Sequence, residues 1–69
     1  MQEITEYQLV YFIKGGGQFR FRLVNTAQWS RWTICSSADL AAIAAIMNER
    51  PVFFDALNGA ISTQNEPVG

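Results

Sequence analysis

Residues 36–50 form the only segment whose pattern predicts an α-helix, and this segment restricts the fold of the whole chain. Ser36 stands three residues before Asp39, a capping-box arrangement in which the serine hydroxyl accepts a hydrogen bond from the amide of Asp39. The segment is rich in alanine, the strongest helix former. Pro51 stops the helix after Arg50 because proline lacks an amide hydrogen. Glycine and β-forming residues dominate the remainder, so we expect the helix to pack on a sheet.

Both sides of this predicted helix are apolar. No charged or polar residue occurs between Asp39 and Asn48. A lone helix on a small sheet normally carries charged residues on its outer side, so we expect this outer side to meet another copy of the chain. At about 100° per residue, the sheet-facing stripe comprises Leu40, Ile43, Ala44 and Met47, with Ile46 at its edge, and the outer side carries Ala38, Ala41, Ala42, Ala45 and Glu49.

Chain length also favours assembly. The 69 residues form one domain, 1–69, in which residues 1–5 and 64–69 are expected to be loosely ordered. A domain of this size buries only about 60% of its unfolded surface, and small domains therefore rely on disulfides, metals or oligomerisation. Cys35 is the only cysteine and there is no histidine, which argues against an internal disulfide and a structural zinc site. Oligomerisation remains, and a two-fold dimer is its simplest form.

Charge and hydropathy restrict the partners and the location. The formal net charge of −1 gives no general attraction to nucleic acid or to an anionic membrane. The first residues, MQEITEYQ, lack the basic start and apolar core of a signal peptide. No apolar run approaches the ~20 residues needed to span a bilayer. We therefore predict no membrane contact, and the free cysteine favours a cytoplasmic location.

The segments around the helix predict strands. Residues 6–14 and 18–24 are rich in β-forming side chains, and three glycines between them indicate a hairpin. Residues 31–35 form a short third strand before the helix. Residues 52–56 and 60–63 follow it, joined by the turn signal Asn58-Gly59. The order β-β-β-α-β-β predicts a small α+β domain of two layers, with a mostly antiparallel sheet and the helix on one face.

Alternation along the strands predicts the inner face of this sheet. The second strand alternates apolar with polar residues, as a half-buried antiparallel strand does. The side chains of the first strand alternate between two faces, and both sets are largely apolar. The pattern therefore does not decide which of the two sets faces the helix. The predicted inner face comprises Phe19, Phe21, Leu23, Trp32 and Ile34, with Val52 or Phe53.

Four of the five basic residues lie in the first half of the chain, where no acidic residue occurs between Glu6 and Asp39. Together with a tryptophan they resemble, in chemistry alone, the surfaces that stack and hold single-stranded nucleic acid. The alternative is an ordinary solvated strand face, with the strand arginines paired to Glu3, Glu6 or Asp55. The candidate nucleic-acid contacts are Lys14, Arg20, Arg22, Trp29 and Arg31.

No residue pattern predicts catalysis, a cofactor or a metal. Cys35 precedes the helix but has no histidine to act as its base, so we interpret it as a small buried apolar residue. Lys14 and the glycines after it lead into a strand, whereas phosphate-binding loops lead into a helix, so a hairpin turn is favoured. The carboxylates form no evident pair. The chain is therefore predicted not to be an enzyme.

Phe53 and Phe54 are neighbours on a predicted strand, so their side chains point to opposite faces. One of them must leave the helix-side core. We assign Phe54 to a subunit interface, together with the alanines of the helix; the alternative is a contact with Tyr11 or Phe12 on the second face. The sequence thus predicts a non-catalytic interaction module acting as a homo-oligomer, with single-stranded nucleic-acid binding as the alternative.

Overall fold

A computed structural model describes residues 1–64 of the chain. These residues form five strands and one helix, and all strand pairs are antiparallel, in the order β3-β2-β1-β4-β5. The helix packs on one face, which confirms the predicted α+β domain with the order β-β-β-α-β-β. The elements are β1 (Gln2–Tyr11), β2 (Gly17–Leu23), β3 (Thr33–Cys35), α1 (Ser37–Met47), β4 (Val52–Asp55) and β5 (Ala60–Thr63).

Strand β1 begins at Gln2, so residues 2–5 are not the loose lead-in that the sequence predicts. Gln2 pairs with Phe54 and Glu3 pairs with Phe53. Ile4 is buried in the core. Pairing with β4 and burial of Ile4 therefore hold residues 2–5 in place, although their acidic and polar composition predicted a loosely ordered segment. Of the predicted loose end at residues 64–69, only Gln64 lies within the described residues, and it belongs to no strand.

Strand β1 is shared by the two halves of the sheet. Its pairing with β2 runs from Ile4 to Tyr11, with an irregularity between Ile4 and Glu6. Its pairing with β4 covers only Gln2 and Glu3. The β4–β5 hairpin is therefore attached to one end of β1, and the rest of that edge of β1 pairs with no strand among residues 1–64.

The predicted hairpin after β1 is present, although β1 ends at Tyr11 and not at residue 14. The amide of Phe12 donates to the carbonyl oxygen of Gly16 at 3.0 Å, and the amide of Gly15 donates to the carbonyl oxygen of Phe12 at 2.7 Å. Gly15 and Gly16 have φ values of 118° and 76°, which glycine adopts without a steric cost. The glycines therefore permit the tight reversal.

Helix α1 begins as predicted and ends earlier. The hydroxyl of Ser36 accepts a hydrogen bond from the amide of Asp39 at 3.1 Å. The last helical residue is Met47, and Asn48 forms the C-cap. Arg50 therefore lies beyond the helix. The amide of Asn48 still donates to the carbonyl oxygen of Ala44, at 3.3 Å.

The core is small and lies between the helix and the sheet. Trp32 and Ile34 were predicted to belong to it, and this is wrong: both are exposed, Ile34 to 78%. Ile34 pairs with Gln18, so the side chains of Ile34 and Trp32 face away from the helix. Cys35 pairs with Gly17 and points inward. The predicted burial of Cys35 is confirmed. The buried side chains are Ile4, Phe19, Phe21, Cys35, Leu40, Met47 and Val52, with Leu9, Leu23, Ile43, Ile46, Phe54 and Ile61 packed against them.

The prediction that Phe54 leaves the helix-side core is wrong. Phe54 is half-buried and packs on the core, with its ring centroid 4.8 Å from that of Phe21. Its neighbour Phe53 therefore points to the other face of the sheet. The subunit contact of Phe54 stays a prediction.

Candidate functional site

Two surfaces contain the residues that the sequence singled out. The first is formed by the outer side of α1 and by β1. Ala38, Ala41, Ala42 and Ala45 are all exposed, and residues 40–47 contain no charged side chain. Leu40 and Met47 hold the opposite side of the helix in the core. The helix therefore presents an apolar surface of small side chains to the solvent.

Backbone groups of β1 extend this surface. Phe12 exchanges hydrogen bonds with Gly15 and Gly16 of the turn that leads into β2. By the alternation of an antiparallel ladder, Tyr7, Leu9 and Tyr11 therefore direct their N–H and C=O groups away from β2. Phe21, which pairs with Tyr7, agrees with this because its amide and carbonyl both bond to Ser30 on its other side. We call the outward backbone groups of Tyr7, Leu9 and Tyr11 the free edge of β1.

A groove runs between the free edge and the helix. It encloses about 430 Å³ and is lined by the side chains of Leu9, Tyr11, Ser37, Leu40, Ala41 and Ala44. Tyr7 and Tyr11 are 36% and 59% exposed. Of the four alanines predicted at an interface, Ala41 alone lines this groove. Ala44, which the sequence placed on the sheet-facing stripe, lines it as well and is exposed.

A second hollow of about 420 Å³ lies at the other end of the helix. Its walls come from the start of β1, from the end of α1 and from the start of β4. It is lined by Glu3, Ile4, Thr5, Tyr7, Met47, Arg50, Pro51 and Val52. The groove and the hollow therefore follow the same edge of β1, one beside Tyr11 and the other beside Tyr7.

The second surface is the sheet face opposite the helix, and it is organised around Arg20. The guanidinium carbon of Arg20 lies 4.6 Å from the ring centroid of Trp29 and 4.5 Å from that of Trp32. Its Nε and Nη2 atoms donate to Oε1 of Gln8 at 3.0 and 2.8 Å. Two aromatic rings and one amide thus hold this cation in place.

Arg22, the neighbouring cation on this face, is also engaged. It forms an ion pair with Glu6, as the alternative of a solvated strand face predicted, and its guanidinium lies 5.8 Å from the centroid of Trp29. Arg31 and Lys14 are exposed, the former after Ser30 and the latter on the hairpin turn. The structure therefore brings Arg20, Arg22 and Trp29 together and places Lys14 and Arg31 outside this cluster. The sequence did not predict Trp32 as its fourth member.

The turn between β4 and β5 is built on Asp55. Its Oδ1 accepts from the amides of Leu57 and Asn58, at 3.0 and 3.3 Å, and its Oδ2 accepts from Nδ2 of Asn58 at 2.7 Å. The side-chain hydrogen bond from Asn58, followed by the two amide bonds, lowers the pKa of Asp55 below its ordinary value. Gly59, with φ at 63°, completes the reversal that the sequence predicted.

Residues 1–64 contain no group of three or more His, Cys, Asp or Glu side chains placed to hold a metal ion. None of the helices formed by those residues is both long enough and apolar enough to cross a membrane.

Comparison with known proteins gives no match: no family model, no curated protein and no solved structure matches this chain. The geometry of the two surfaces is therefore the basis for any statement about function.

Proposed function

We propose that this chain is a non-catalytic interaction module that acts as a homo-oligomer, most simply a two-fold dimer. The observation that carries the proposal is the exposed outer side of α1, which carries no charge from Leu40 to Met47, together with the exposed Tyr7 and Tyr11. Exposed apolar patches rimmed by polar residues are typical of interaction sites. An isologous contact needs only one such patch, because the symmetry axis supplies the second copy of it.

The small core supports this proposal. Among residues 1–64 no side chain is less than 2% exposed. A short chain gains little net stability from so few buried residues. Covering the outer side of the helix would bury further apolar area. Each Å² of that area would stabilise the assembly by ~25 cal/mol, before the cost of association is subtracted.

The test is the solution mass of the chain, measured by analytical ultracentrifugation over a range of concentrations. We expect an oligomer for the natural sequence. We expect Ala41→Glu with Ala45→Glu to dissociate it, because two carboxylates would be buried in the contact of each subunit. Ala27→Glu with Ala56→Glu is the matched control, since both alanines are exposed and lie in loops. A natural sequence that stays monomeric at high concentration refutes the proposal.

Single-stranded nucleic-acid binding is the second candidate function, and the cluster of Arg20, Trp29 and Trp32 favours it. Base stacking on aromatic rings and guanidinium groups needs this chemistry. Against it, Arg20 and Arg22 already bond to Gln8 and Glu6. A polyuridylate titration at two salt concentrations tests it: Arg20→Ala with Arg22→Ala should weaken binding and lower the salt slope by about one for each lost phosphate contact. No binding at low salt excludes it.

A further inference from the structure

We propose that the free edge of β1 is where a second copy docks, by antiparallel pairing of the two β1 strands about a two-fold axis at Leu9. This inference rests on the proposed function, because it names the contact through which the chain would self-assemble. The pairing would join the two sheets into one continuous sheet and would place both helices on the same face.

The backbone of the free edge is self-complementary. Tyr7, Leu9 and Tyr11 each direct one donor and one acceptor outward, and no strand formed by residues 1–64 meets them. With Leu9 on the axis, Leu9 faces its own copy, and Tyr7 faces Tyr11 of the partner subunit. Each such pair exchanges two hydrogen bonds, so the contact contains about six.

The side chains along the edge fit the same axis. Residues 7–11 read Tyr-Gln-Leu-Val-Tyr, a nearly symmetric segment centred on Leu9. Folded proteins usually protect an exposed strand edge with charges, prolines or very short strands. Residues 7–13 contain no charge and no proline, whereas the outer strands β3 and β5 are only three and four residues long. The unprotected edge is therefore the one with a self-complementary sequence.

The helix leaves room for the second copy. On the helix side of the free edge, the groove is bounded by Ala41 and Ala44. A two-fold axis through Leu9, perpendicular to the sheet, brings the helix of the second copy against these same residues. Small side chains allow such helices to approach to about 8 Å, the short end of the usual range.

The two ends of the contact complement each other. Ile13 protrudes from the hairpin turn with 93% of its surface exposed. In this register Ile13 of the partner subunit reaches the level of Thr5, beside the hollow lined by Ile4 and Met47. An exposed apolar side chain thus faces a hollow whose walls include Ile4 and Met47, and the symmetry repeats this match at the other end of the interface.

Two double variants test both the contact and its register. Tyr7→Lys with Tyr11→Lys puts like charges opposite each other twice, and we expect the dimer dissociation constant to rise about 100-fold, since two cross-strand contacts become repulsive. Tyr7→Glu with Tyr11→Lys puts opposite charges in the same places, and we expect it to keep the dimer. Leu57→Lys is the control, because Leu57 is 92% exposed and lies on the β4–β5 turn.

A covalent test does not depend on the stability of these variants. In a Cys35→Ala background, Leu9→Cys should form an intersubunit disulfide under mild oxidation, since paired residues at the axis have Cα atoms about 5.5 Å apart. Leu57→Cys is the matched exposed control and should cross-link much more slowly.

The outcomes separate this inference from the proposed function. A monomeric natural sequence overturns both. A dimer that survives Tyr7→Lys with Tyr11→Lys overturns this contact and leaves self-assembly standing. The same holds if both double variants dissociate the dimer equally and Leu9→Cys fails to cross-link. Loss of the dimer in the lysine pair alone, together with the Leu9→Cys cross-link, supports it.

Discussion

Gly17 lies directly beneath Leu40, with no space for a side chain between them. A Cβ atom on Gly17 would approach Cδ2 of Leu40 to 2.7 Å and would also collide with the carbonyl oxygen of Val10. Gly17 is buried and pairs with both Tyr11 and Cys35. The last of the three glycines therefore permits both β1 and the helix to approach β2 closely, in contrast to the first two, which shape the turn.

The close packing predicts that Gly17→Ala destabilises the domain by about 1–3 kcal/mol, the usual cost of overpacking a core. Urea unfolding followed by circular dichroism measures this loss. Gln18→Ala is the control, because the side chain of Gln18 points to the opposite face of the sheet, and its effect should stay within about 0.5 kcal/mol. Equal effects of the two substitutions would contradict this account of Gly17.

Burial along the helix predicts an order of stability losses. Met47 is 3% exposed, whereas Ile43 is only half-buried at the edge of the core. Met47→Ala should cost about 2–5 kcal/mol in the free energy of unfolding, and Ile43→Ala should cost less, because a partly exposed site leaves a smaller cavity. Thermal unfolding of both variants checks the order. An Ile43→Ala variant that is the less stable of the two would show that the helix is rotated about its axis.

The turn at Asp55 predicts a pH effect. Hydrogen bonds from Asn58 and Leu57 lower the pKa of Asp55 in the folded state. The contribution of Asp55 to stability is therefore present above the pKa of the unfolded chain, about 3.9, and is lost as the pH falls through the lower folded value. NMR titration should show a low pKa for Asp55, which should rise toward its ordinary value in Asn58→Ala. An unchanged pKa in that variant would contradict the role of Asn58.

The position of Arg20 between two indole rings predicts that Arg20→Lys is not conservative. Lysine keeps the charge but loses the planar group that stacks on Trp29 and Trp32 and the fork that bonds to Gln8. We expect a loss of about 1 kcal/mol in stability and a change in tryptophan near-UV circular dichroism. Arg31→Lys, at an exposed position, is the control. Identical spectra for the natural sequence and Arg20→Lys would contradict this stacking.

The sequence predicted the elements whose signals are local. The Ser36 cap, the glycine turn after β1 and the Asn58-Gly59 reversal act within a few residues, and each is present, although both turns begin earlier than predicted because β1 ends at Tyr11 and β4 at Asp55. The end of the helix was less well predicted, because the chain leaves the helix at Asn48 before Pro51 forces it to.

The errors concern non-local pairing. Trp32 and Ile34 were placed inside because a three-residue strand alternates equally well in either orientation, and only the pairing of Cys35 with Gly17 decides between the two. Phe54 was placed outside because its contact with Phe21 depends on where β4 meets the first residues of β1. The free edge of β1 exists because β4 pairs with only two residues of β1. The residues of β1 alone do not predict how far that pairing extends.

The short overlap between β1 and β4 divides the domain into regions that need not open together. The β4–β5 hairpin is joined to the sheet through Gln2 and Glu3 only, whereas β1 and β2 share a ladder from Ile4 to Tyr11. Breaking two residue pairs, the contact between Phe54 and Phe21 and the core contacts of Val52 and Ile61 releases the hairpin while the larger ladder stays closed. Native-state hydrogen exchange should therefore resolve two cooperative units. The amides of β4 and β5 should exchange through an opening of lower free energy than the amides that join β1 to β2. One strand thus belongs to both units, and the pairing of its first two residues contributes to the free energy that the smaller unit needs to open.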